Sequence, residues 1–173
     1  MGIGALRNTF AVALSAAALL AASGTAASAA GPSPSLVEGC SFAGSTRICT
    51  VNEPVVNEPT SIYNIQLNAG DRVRIDAGGC VQTGGSGKTW KRYVDPQSSN
   101  GLYHGTMFVP GVTNGLTELL SLVGNTYTLT EGGSLFLGYE DDNYTDNGYY
   151  LHDDGTNNQC KDIDNAYVRL TIN

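Results

Sequence analysis

Short stretches of alternating apolar and polar residues, separated by glycine-rich turns, recur along this chain and dictate strands rather than helices. SIYNIQLN at 61–68 puts Tyr63, Ile65 and Leu67 on one face, and the Ala69-Gly70-Asp71 turn follows. RVRIDA at 72–77 then puts Val73, Ile75 and Ala77 on one face, with Arg72, Arg74 and Asp76 on the other. A period of two is the mark of a half-buried strand. HGTMFVPG at 104–111 is a third candidate. TYTLT at 126–130 and SLFLGYE at 134–140 flank a Glu131-Gly132-Gly133 turn. The closing AYVRLTIN puts Val168, Leu170 and Ile172 on one face. GLTELLSLVG at 115–124 fits either a turn or two of helix or a strand, and VNEPVVNEP at 51–59 reads as extended or edge structure because of its prolines. The expectation is an all-β protein, an antiparallel sandwich or jelly roll.

That pattern gives a meaning to the segment before the last strand. Residues 138–160, GYEDDNYTDNGYYLHDDGTNNQC, hold six Asp and Glu, four Asn and three Gly, with no Lys or Arg. Because AYVRLTIN returns to the sheet, the acidic segment is a loop held at both ends by core strands. Asp141, Asp142, Asp146, Asp153 and Asp154 are hard oxygen donors, and Asn147, Asn157 and Asn158 add neutral ones. Calcium takes six to eight such oxygens in flexible geometry, whereas magnesium demands stricter octahedral order. Like charges this close repel unless a counterion screens them. The loop lacks the spacing of an EF-hand.

Residues 1–29 read as a secretory signal peptide: Arg7, an apolar run FAVALSAAALLAA, and Ala27-Ser28-Ala29 as the cleavage site. The run is too short to span a membrane comfortably. The remaining chain, about 144 residues, suits one domain, expected outside the cell and without a membrane anchor. AGPSPSL at 30–36 is a flexible lead. The chain carries 16 Asp and Glu against 9 Lys and Arg, a formal net charge of −7. Such a balance disfavours nucleic acid and anionic membranes as partners.

Four cysteines, Cys40, Cys49, Cys80 and Cys160, in an exported chain imply two disulfides with three possible pairings. The short spacing invites Cys40–Cys49, which leaves Cys80 with Cys160. A zinc site would want a C-x-x-C pair, and there is none. Catalytic motifs are lacking as well. G-x-S-x-G is absent, the GGSGKT stretch has Gln82 where a phosphate loop needs its first glycine, and His104 and His152 are the only histidines. Many carboxylates are present and nothing selects a hydrolytic pair, so no enzyme activity is expected. Trp90, in GGSGKTWKRYVDP, is either a buried tryptophan or a face on which a sugar ring stacks. Tyr139, Tyr144, Tyr149 and Tyr150 either edge a sugar site or pack beneath the loop.

GSLFLGYEDDNYTDNGYY, with the earlier NAGDRVRIDAGGCVQTGG and the closing AYVRLTIN, resembles the galactophilic bacterial lectin family of the PA-I type over roughly residues 60–173. The resemblance implies a small jelly-roll sandwich of galactose-binding-like form. It also implies one calcium ion that sugar hydroxyls coordinate directly. Carried over position by position, Asp141 matches the first carboxylate ligand and Thr145 a carbonyl donor. Asp146 and Asn147 match two consecutive side-chain ligands if one residue is deleted before them. Thr83 falls near a further carbonyl donor, with Gln82 the alternative if the register slips.

Asp142, Tyr144, Trp90, Asp153, Asp154 and Asn157 are then the candidates for sugar contact, with a galactoside-like ligand possible. On this reading residues 30–59 form an N-terminal extension with a local disulfide, and 60–173 the lectin-like sandwich. The chain also departs from the family. Glu140 stands where the family usually has Asn, LHDDGTNNQCKDID at 151–164 has no counterpart, and His104 aligns to a strand rather than to the family's sugar-contacting histidine. The two bridges are not family features either. Calcium is thus better supported than galactose. The alternative is a structural or cell-surface interaction domain in which calcium only stiffens the loop.

Overall fold

The computed structural model describes residues 38–84 and 87–173; the expected signal peptide and the lead to residue 37 lie outside the described residues. Three antiparallel sheets make up nearly all of the regular structure. The first has five strands: β1 (Glu38–Ala43), β2 (Thr46–Asn52), β4 (Arg72–Gly78), β9 (Thr126–Thr128) and β12 (Tyr167–Ile172), in the order β1-β2-β12-β4-β9. The second has four: β3 (Thr60–Leu67), β7 (His104–Phe108), β8 (Thr117–Glu118) and β10 (Gly133–Glu140), in the order β3-β10-β7-β8. The third is small and carries β5 (Cys80–Thr83) between β11 (Asn147–Gly148) and β6 (Trp90–Arg92).

The alternating residues fill the space between the two larger sheets. Tyr63, Ile65 and Leu67 of β3, Val73 and Ile75 of β4, Leu135 and Leu137 of β10, and Val168, Leu170 and Ile172 of β12 are all buried in one cluster. Each strand gives alternate side chains to that core, as the pleat requires. The ambiguous 115–124 stretch is both things in turn: β8, then a single helical turn, α1 (Leu119–Leu122), which buries Leu119 and Leu122. Among the described residues no helix is long and apolar enough to cross a membrane.

One expectation is corrected. Residues 30–59 are not an extension to a domain that starts at 60, because β2 pairs along its length with β12, Val51 opposite Val168 and Cys49 opposite Leu170. Cys49 and Val51 are fully buried. The β1–β2 hairpin is therefore part of the sandwich, and the 51–59 repeat starts as the last two residues of β2 and continues as the irregular link to β3. Local composition cannot show this, since β2 meets β12 only through long-range pairing.

Both disulfides form as the spacing invited. Cys40 and Cys49 are register partners across β1 and β2, so their bridge staples the exposed edge strand. Cys80–Cys160 closes a sequence separation of 80 and buries both sulfurs. It ties the start of β5 to the far end of the acidic loop.

Candidate functional site

The acidic loop leaves β10 at Glu140, turns through a 3-10 segment at Tyr144–Asp146, pairs briefly with β5 as β11, and turns again at Thr156–Asn158 before β12. Asn143 caps the first turn, its Oδ1 accepting from the Thr145 N–H at 3.3 Å and hydroxyl at 2.9 Å. The Tyr144 hydroxyl donates to the Tyr139 carbonyl at 3.0 Å. These bonds fold the loop back over the end of β10, and within it the Asn147 side chain meets that of Asp141.

Three residues of the loop each have a buried oxygen with no hydrogen-bond partner: Asp141 Oδ2, Asp146 Oδ1 and Asn147 Oδ1. In two of them the opposite atom is tied down. The Asn143 N–H donates to Asp141 Oδ1 at 2.9 Å, and Asn147 Nδ2 donates to the Val56 carbonyl at 2.8 Å. Asp141 is 8% exposed and Asn147 6%. Burial raises the Asp141 carboxyl above the usual carboxylate range; the Asn143 N–H and the Asn147 side chain work against that rise without cancelling it, and neighbouring Asp142 adds to it. Buried polar atoms are almost always satisfied, and leaving one unmade costs about 1–3 kcal/mol, more for a charge. Three such oxygens on one short loop, two of them carboxylate, are of the chemistry that a hard cation takes.

Thr83 is the register partner of Asn147, and Gln82 that of Gly148. Directly opposed residues in an antiparallel pair share a face, so Thr83 stands beside Asn147 while Gln82 faces the other way, toward Trp90. β5 also lies against the Tyr144–Asp146 turn, which contains Thr145. Among the described residues no three His, Cys, Asp or Glu side chains gather to hold a metal ion.

The residues expected to contact sugar divide. Asp142 is exposed next to this oxygen set, and Tyr144 is half-buried with its hydroxyl already engaged. Trp90, by contrast, is 0% exposed. It packs against the Cys80–Cys160 bridge, with the His152 ring 4.0 Å away and Tyr149 edge-on at 6.5 Å, and its indole N–H donates to the Leu151 carbonyl at 3.2 Å. No face of it is open to a ligand, which corrects the stacking expectation. Asp153 is corrected in the same way. Burial opposes its charge, but the backbone N–H groups of Thr89, Gly155, Trp90 and Lys88 outweigh burial and hold the carboxyl below its usual range. With bonds at 3.0 Å from Thr89, 2.7 Å from Gly155 and 3.4 Å from Trp90, its oxygens are spent on anchoring the loop. Asp154 lines a separate open basin of about 720 Å³ with Glu53, His152, Asp162 and Asp164. Asn157 is exposed on the second 3-10 turn with φ +57°.

Two participants were not legible beforehand. The Val56 carbonyl lies in the link that the sequence marks only as Pro-rich and extended. Tyr103, on the loop before β7, brings its hydroxyl to 3.4 Å from Asp142 Oδ1. Burial raises the Tyr103 phenol, and the charges of Asp142, Asp141 and Asp146 raise it further. Nothing local marks either residue, since both reach the site through pairing between distant strands.

Fold and site together define an antiparallel β-sandwich domain whose acidic loop buries three unpartnered oxygens beyond the end of β10. No protein-family model matches the chain, and no curated protein matches it. Among solved structures it is similar to the EclA N-terminal domain, a PllA-like lectin, with a TM-score of 0.40 and 15% identity, over 72% of this chain and 92% of that one.

Proposed function

We propose that this chain is a secreted, calcium-dependent carbohydrate-binding domain. One observation carries the reading: three buried oxygens of one seven-residue stretch, on Asp141, Asp146 and Asn147, have no partner. Buried oxygens without partners are costly, and a divalent cation would remove the cost. The three side chains, with the backbone carbonyls of Thr83 and Thr145, would hold calcium. The ion held there would supply coordination to vicinal sugar hydroxyls. The exposed carboxylate of Asp142 is then placed to accept from a neighbouring ligand hydroxyl. The sugar half of the reading is supported by the resemblance to PA-I-type lectins and by an acidic surface suited to neutral ligands. Export is supported by the N-terminal sequence and by two disulfides, which persist in oxidising compartments.

A second reading, a structural domain whose ion only stiffens the loop, is favoured by the depth of Asp141 and Asn147. Calorimetric titration with calcium, followed by glycan-array capture with and without excess chelator, separates the two. Calcium binding with chelator-sensitive glycan capture supports the lectin reading. Calcium binding that raises the melting temperature with no glycan captured supports the structural one, and no calcium binding at all rejects both.

A further inference from the structure

The loop from Asp95 to Tyr103 is held rigidly beside the oxygen set. Ser98, Asn100, Gly101 and Tyr103 all have positive φ, from 52° to 82°. For a bulky aromatic such as Tyr103, at φ +65°, that conformation is unfavourable, and it persists only where surrounding contacts over-determine it. Those contacts are present. The buried Lys91 amine donates to the carbonyls of Gln97 at 3.1 Å and Ser98 at 3.2 Å. The buried Gln159 side chain accepts from the Gln97 N–H at 3.1 Å and donates to the Gln97 carbonyl at 3.3 Å. Gln159 itself precedes Cys160, so the disulfide fixes its position. The Tyr103 N–H donates to the Glu140 carbonyl at 2.6 Å, one residue before Asp141. Lys91 Nζ lies 5.7 Å from the centre of the Tyr103 ring.

All this restraint serves to hold one half-exposed phenol against one exposed carboxylate. We infer that Tyr103 is a positioning and specificity-determining residue: its hydroxyl donates to Asp142 Oδ1 and so aims the other Asp142 oxygen at a hydroxyl of a bound pyranose. The inference rests on the calcium-dependent sugar-binding reading above and adds to it the residue that selects the sugar. The ligand class is a pyranoside with a third hydroxyl adjacent to the pair that meets the ion. Asp142 is not needed to hold the ion, because the three partnerless oxygens belong to other residues.

The test uses Tyr103→Phe, which keeps the ring and removes only the hydroxyl, together with Asp142→Asn and the double variant. Calcium affinity is measured by calorimetry. Affinity for methyl α-galactoside and methyl α-mannoside is then measured in saturating calcium. The expected result is a split: calcium affinity within about two-fold of wild type, and affinity for the preferred glycoside down about ten-fold in each single variant. The double variant should lose less than the product of the two. Tyr103→Phe with unchanged glycoside affinity overturns the inference while leaving the sugar-binding reading intact. So does a parallel loss of calcium and glycoside, which a merely structural tyrosine would give. A wild-type protein that binds calcium but neither glycoside overturns the inference and the sugar half of the reading; one that binds no calcium overturns the reading as a whole.

Discussion

The side-chain amide of Asn147 donates to the carbonyl of Val56 at 2.8 Å, across 91 positions of sequence. This bond decides which way the Asn147 amide faces. With its nitrogen committed to Val56, its Oδ1 is left buried without a partner.

Asn147→Ala removes that donor and leaves a carbonyl unpaired. The expected cost is about 1–3 kcal/mol without calcium. Calcium should also raise the stability of this variant much less than that of wild type. Urea denaturation with and without calcium checks both, and a variant as responsive to calcium as wild type would remove Asn147 from the ligand set.

Binding of calcium to the folded state alone stabilises by about 2.7 kcal/mol when free calcium is about a hundred times Kd. Asp141→Asn with Asp146→Asn is expected to abolish that gain. The melting temperature of the double variant should be the same in calcium and in chelator.

The Asp141 carboxyl is raised by burial. The folded protein thus holds that proton more tightly than the unfolded chain, whose Asp titrates near a pKa of about 3.9. Through this residue, acidification stabilises the metal-free protein as pH falls through the raised value, and the gain is complete below the unfolded value. Asp141→Asn should accordingly be more stable than wild type at neutral pH in chelator, with the difference shrinking as pH falls. Calcium affinity of the wild type should fall over the same window, because the cation and the proton compete for one carboxylate. Melting curves of both proteins across pH, with calcium titrations of the wild type, measure this.

Replacing Cys80 and Cys160 together by alanine reopens a loop that spans 80 positions. The chain-entropy effect alone is about 4 kcal/mol, so the midpoint of thermal unfolding should fall by roughly 10 °C. Because Gln159 adjoins the bridge, glycoside affinity should weaken as well. An unchanged melting temperature would contradict the role assigned to this bridge.

Trp90→Ala empties a fully buried site and should cost about 3–5 kcal/mol. Its effect on glycan capture should follow its loss of folded protein. Selective loss of capture in a fully folded Trp90→Phe variant would restore Trp90 to the ligand site.

Much of this architecture can be read along the chain. The alternation at 61–68, 72–77, 134–140 and 166–173 reappears as β3, β4, β10 and β12, because a strand's two faces are written at a period of two in its own residues. The same logic places the acidic segment between β10 and β12. The cysteine spacing favoured the pairing that forms, since the chain between Cys40 and Cys49 is short enough to close as a hairpin.

What the sequence by itself determined was the all-β class, two disulfides and a loop crowded with oxygen donors. Only the tertiary structure decided that β2 belongs to the sandwich and that Trp90 and Asp153 are spent on packing and anchoring. It alone buried oxygens of Asp141, Asp146 and Asn147 without partners and set Tyr103 against Asp142. The reason is range. Strand character depends on neighbours two residues apart, whereas the direction of an oxygen at Asn147 depends on Val56, and that of Tyr103 on Glu140, Lys91 and Gln159. Such contacts exist only once distant strands have paired in register.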